Sequence, residues 1–175
     1  MATYYSNIYG TTIRPDEAGT GRVVTAAGCL TIPSGKVIAT GAVLKLFKVG
    51  AGGHVRNIWI QNTDFGTDVP GKFGHYGVDD GVALDDDSIT TDILLETAAD
   101  RNFENYASDL TSAGSNFATP FATLTEDASF EMVVGTVDTG AAGSVRFSVE
   151  VVFFGTNTPY AYTWNGEAAL GAASS

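Results

Sequence analysis

The stretch GVDDGVALDDDSITTD, Gly77 to Asp92, places six aspartates within sixteen residues. Carboxylates at that density can ligate a hard divalent cation, work as a general acid/base pair, or solvate a surface. An EF-hand loop needs oxygen ligands at positions 1, 3, 5 and 12 and glycine at 6. Counting from Asp85, positions 5 and 6 are Ile89 and Thr90; counting from Asp79, position 3 is Gly81. Neither register works. A glycosidase needs two carboxylates about 5–10 Å apart across a sugar, and nothing singles out one such pair among the twenty acids. The run therefore reads as a solvated acidic surface loop, with calcium collection as the alternative.

The two histidines add little to it. His54 follows GAGG in a turn, and His75 lies within FGHYG. They lack the i, i+2 or i, i+4 spacing that sets two imidazoles on one side of an element, so no metal site is expected. Cys29 is the sole cysteine, which excludes an internal disulfide or a thiolate cluster. Within GCLTI it reads as a buried, inert thiol. No nucleophile elbow, P-loop or dinucleotide fingerprint occurs. The expectation is a non-enzyme, with no catalytic residue, no cofactor and no metal.

The residues most suited to contact are aromatic and sit near the chain ends. Tyr4, Tyr5, Ile8 and Tyr9 lie in MATYYSNIYG, and Tyr160, Tyr162 and Trp164 lie in TNTPYAYTWNGEAALGAASS. Large rings with polar tips are what a packed interface uses. These seven are the candidate interface residues. The implied organisation is an extended arm over 1–21, a β domain over 22–156 and a tail over 157–175.

The elements between the two ends read as strands. RVVTAAGCLTI and KVIATGAVLKLFKV are rich in β-branched and aliphatic residues, and Gly41 breaks the second. In VRNIWIQNT, Ile58 and Ile60 share one face and Trp59 takes the other. GKFGHYGV is a further strand weakened by its glycines, and SFEMVVGTV follows later. In GSVRFSVEVVFFG, Val145, Phe147, Val149, Val151 and Phe153 alternate with polar residues at period two, the mark of a half-buried strand. The short VDTGAAG link predicts a hairpin between these last two strands. Leu95, Ala99, Phe103, Tyr106 and Leu110 recur every three or four residues and predict a short helix over Asp92 to Ala99. The sum is an all-β chain: an antiparallel β-sandwich, jelly-roll-like, with at most one short helix.

Whole-chain properties narrow the partners. The chain has 175 residues, nine basic and twenty acidic, for a formal charge of −11. Scattered Lys and Arg cannot neutralise a run of phosphates, so direct nucleic-acid binding is not expected. No apolar run reaches the ~18 residues of a membrane span, and the N-terminal segment has no secretory pattern. A soluble protein made in the cytosol is the expectation.

The order of these segments resembles small head proteins of tailed bacteriophages. An early strand is followed by a small-x-Leu-x-Leu motif within Gly41–Leu46 and a glycine-rich turn within Gly50–Val55. The Asp-rich stretch Asp79–Asp92 comes next, and a Leu-Thr-acid-Asp turn at Leu124–Asp127 introduces the closing hairpin. The resemblance spans most of residues 20–155. It implies a capsid decoration (cement) or related minor virion protein with a jelly-roll-like sandwich, made in the host cytoplasm, bound to the major capsid protein lattice on the virion exterior, and self-associating as a homotrimer. It implies no catalytic residue. The alternative from the residues alone is a carbohydrate-binding or adhesive sandwich, using Trp164, Tyr160 and Tyr162, or Trp59 with Tyr76, as an aromatic platform.

Overall fold

The computed structural model describes residues 2–14, 23–79, 81–104 and 124–153. In chain order the strands are β1 (Thr3–Tyr5), β2 (Thr12–Ile13), β3 (Val23–Ile32), β4 (Val43–Val49), β5 (Gly53–Asn62) and β6 (Gly66–Thr67). They continue as β7 (Pro70–Gly77), β8 (Ala83–Leu94), β9 (Ala99–Glu104), β10 (Ala128–Val134), β11 (Thr139–Gly140) and β12 (Gly143–Phe153). One layer has the order β1-β4-β10-β7-β8, with β2 also on β4; the other has the order β3-β12-β5-β9. Strands β6 and β11 form a small separate ribbon. The antiparallel β-sandwich is thus the architecture found, and only β1 and β2 run parallel to their partner β4. The described residues contain no helix, and so none long and apolar enough to cross a membrane.

Period-two patterning builds the core. Val145, Phe147, Val149, Val151 and Phe153 of the central strand β12 are all buried, as are Ile58 and Ile60 of β5 beside them. From the opposite layer, Phe47 stacks on Phe130 with centroids 4.7 Å apart and tilts against Phe147 at 5.5 Å. That three-ring cluster joins the two sheets. Strand β4 departs from strict alternation. Phe130 faces Phe47 and Glu131 faces Lys45, so Leu46 is an extra residue in a bulge. The bulge lets Leu46 and Phe47 both turn inward and be fully buried, and the Ser6 hydroxyl donates to the Leu46 carbonyl.

The N-terminal residues bridge the layers. Strands β1 and β2 pair with β4, while the Asn7 N–H donates to the Cys29 carbonyl at 3.0 Å. In return the Cys29 N–H donates to Asn7 Oδ1 at 2.8 Å. Gly28 makes this docking feasible: a Cβ there would lie 2.6 Å from the Phe147 ring and 2.9 Å from Ile8. The far end is stapled by Asp127, which accepts from Arg14 and, at 2.9 Å, from the Ala51 N–H.

Several expectations are corrected. Asp92 to Ala99 is not helical: β8 continues to Leu94, and Ala99 begins β9, which pairs with β5. The spacing arose because Leu95 is buried at a strand end, bonded to Val69 and Phe65, while Phe103 points inward from the next strand. Tyr106 and Leu110 lie outside the described residues. Strands β10 and β12 form no hairpin. β10 is already paired on both edges by β4 and β7, and β12 by β3 and β5, so their link crosses between layers. The acidic run is not a loop either, because Asp85, Asp86 and Asp87 belong to β8. His54 lies in β5, 3% exposed, and not in a turn. Cys29 is only half-buried on β3.

Candidate interaction surfaces

The four N-terminal candidates divide by side. Tyr4 and Ile8 pack against the core, and Tyr4 donates to the Val37 carbonyl at 3.4 Å. Tyr9 lies over the outer face of the six-stranded layer, its hydroxyl 2.9 Å from Ser129 Oγ. Ser129 donates to Glu131 Oε1 at 2.5 Å, and Lys45 Nζ donates to the same oxygen at 2.7 Å. The ammonium groups of Lys45 and Lys48 stand 5.7 and 5.1 Å from the Tyr9 ring centroid. Burial alone would pull Lys45 down, but the hydrogen bond and charge of Glu131, with Tyr9, outweigh it and raise the pKa. Tyr5 turns outward, 58% exposed, against the Tyr9 ring at 5.3 Å. Tyr160, Tyr162 and Trp164 lie outside the described residues.

The acidic ridge occupies β8, at the edge of the six-stranded layer. One carboxylate oxygen from each of Asp85, Asp86 and Asp87 falls within 4.8 Å of the others. Lys72 Nζ reaches Asp86 at 3.2 Å and Asp87 at 3.7 Å. Burial, then the neighbouring Asp87 and Asp86 carboxylates, leaves the Asp85 pKa raised, although a backbone hydrogen bond opposes them. Across the face, the Tyr76 hydroxyl is pushed up to about 12 by burial and by the charges of Asp86, Glu131 and Asp87.

The histidines do not meet. His54 is on β5 and His75 on β7, in different layers. Burial lowers both to about 4, so both are neutral at pH 7. His75 Nδ1 lies 2.9 Å from Ser88 Oγ, and its ring stacks on Phe130 at 5.9 Å. Among the described residues, the only His, Cys, Asp and Glu group with metal-ligand spacing is the aspartate triplet, and it contains no imidazole.

Trp59 and Tyr76 do not form a shared platform, because they sit on different layers. Trp59 instead has Ser148 and Asn102 as its cross-strand neighbours. One alternation further along β5, Gln61 faces Arg146 on one side and Asp100 on the other. These three line a depression of about 460 Å³ with Asn62, Thr63 and Ser144. No motif flagged Gln61, Asp100 or Arg146. The available signal was the period-two pattern that puts Trp59 and Gln61 on one face, and it needed the strand register to find their partners.

No protein-family model matches this chain, and no curated protein matches it. Two solved structures are similar in fold. A chain from the capsid of Ralstonia phage GP4 superposes with a TM-score of 0.60 at 18% identity, covering 89% of this chain and 99% of that one. A chain of the cyanophage Pam1 capsid asymmetric unit has a TM-score of 0.48 at 17% identity, covering 82% and 92%, and is too distant to carry weight. The sandwich described above is therefore a fold that also occurs, nearly end to end, in a chain of a bacteriophage capsid.

Proposed function

We propose that this chain is a virion structural protein that binds the exterior of a phage capsid and stabilises it. The observation that carries the reading is the shared architecture: nearly the whole of a capsid chain aligns with nearly the whole of this one. The arrangement suits such a role. The layers are filled by apolar side chains, and the acidic ridge lies on an edge strand, where a neighbour can reach it. The partner is the major capsid protein lattice, contacted through exposed Tyr5 of the arm together with Tyr160, Tyr162 and Trp164 of the tail. Self-association as a homotrimer would multiply a weak contact into a durable one, since linked sites bind as one event.

Binding to a folded shell stabilises that shell by mass action. Purified undecorated shells mixed with the protein, sedimented and then heated should retain it and disassemble at a higher temperature. Tyr5→Ala should weaken retention about tenfold, as loss of an interfacial aromatic does. Shells that neither bind the protein nor gain heat resistance would falsify the decoration role. Native mass spectrometry of the free protein reads the trimer directly.

A further inference from the structure

We infer that the outer face of the four-stranded layer holds a second binding site, for a neutral or zwitterionic saccharide, built on Trp59, Gln61, Arg146 and Asp100. The register sets Arg146, Gln61 and Asp100 side by side across three strands. Trp59 follows two residues away on β5, about 7 Å along the strand. The ring is large, 36% exposed, and on a face where alternation places solvent. An indole left in water offers a flat apolar plate with a polar edge.

Beside it lies the depression of about 460 Å³, within the size range of small-ligand pockets. Its lining is mixed: beside the apolar Ala98 and Ala99 it presents six polar residues, Gln61, Asp100 and Arg146 among them. A lining of that kind offers partners to hydroxyls and contact to a C–H face alike. The floor is rigid. Asn62, 2% exposed, donates to the Thr63 and Thr97 carbonyls at 2.8 and 2.9 Å and accepts from Arg101. Thr63 and Ser144 are tied to each other through backbone and hydroxyl. Gln61, Asp100 and Arg146 are not used in that scaffold. Arg146 has no carboxylate at ion-pair distance among the described residues.

The remaining groups suit a sugar in number and type. The guanidinium offers five donors, the carboxylate only acceptors, and the amide both. A pyranose presents adjacent hydroxyls to such a row and an apolar C–H face to an indole. Charge selects within the class: one cation and one anion cancel locally, while the chain carries −11 overall. Polyanionic glycans are disfavoured.

The test uses the full chain on an array of defined hexose and N-acetylhexosamine oligosaccharides, neutral and acidic. It is followed by titration of Trp59 fluorescence in a Trp164→Phe background. Saturable binding to neutral glycans is expected. Read on the array with Trp164 retained, Trp59→Ala and Arg146→Ala should each weaken binding about tenfold, with unchanged thermal unfolding, and Trp59→Phe should retain part of it. Shell binding should be unaffected in both variants, which separates this site from the decoration role. The inference is overturned by an array without hits, by binding confined to acidic glycans, or by affinity indifferent to both substitutions.

Discussion

At the scale of single residues, Gly28 shows how a missing side chain creates a contact. Its Cα lies where Phe147 from β12 and Ile8 from the arm close over one another, and a Cβ would intrude on both. Gly28→Ala should cost about 2 kcal/mol, a fall of roughly 4–8 °C in Tm. An unchanged melt would show that the arm does not press on Phe147. The histidines make a second residue-scale prediction. Unfolded histidine protonates near pH 6.5, whereas folded His54 and His75 do so only at about 4. The unfolded chain therefore takes up protons first as pH falls. Stability present above pH 6.5 drains away between 6.5 and 4 and then levels off. Allowing for residual solvent contact, each ring contributes about 2 kcal/mol to that loss. Denaturant melts across the window should slope less steeply for a His54→Gln, His75→Gln variant; matching slopes would dismiss the idea.

At the scale of elements, the arm and β8 solve the same problem at opposite edges of one layer. An open strand edge invites pairing with another copy. On one side β4 is covered by β1 and β2, stapled by Asn7 to Cys29 and by Arg14 to Asp127. On the other, β8 is shielded by three consecutive aspartates and by three register shifts against β7. The aspartates thus sit on a strand for a physical reason: like charges keep two such edges apart. Deleting residues 2–14 would uncover β4 and the rings beneath Ile8. Dimers or larger species should then appear on size-exclusion chromatography, and a monodisperse truncation would contradict this account. Strand content was legible from period two, as Val145 to Phe153 demonstrate. The pairing of β10 with β4 and β7 was not, because a short glycine-rich link looks the same whether it turns a hairpin or crosses to the other sheet.

At the scale of the whole molecule, charge and topology set behaviour. A surface carrying −11 steers the protein toward basic or polar partners, and salt screens such attraction over about 8–10 Å. Association with purified shells should slow about tenfold between 50 and 500 mM salt, as measured by biolayer interferometry. Rates independent of salt would show that the acidic surface plays no part in the encounter. The shared capsid-chain architecture belongs to this scale too. At 18% identity the likeness is one of fold, not of a string of residues.

The amino-acid sequence by itself determined which residues alternate, which faces are apolar, where charge accumulates and that no internal disulfide exists. Those are local properties, decided by neighbours a few positions away. Only the tertiary structure decided that β3 and β5 flank β12, that Glu131 shares an oxygen between Ser129 and Lys45, and that Trp59 stands beside Gln61, Arg146 and Asp100 instead of Tyr76. Strand partners here lie up to 129 residues apart along the chain, as Val23 and Val152 do, and their choice follows from filling two facing layers at once. No short window of sequence contains that constraint.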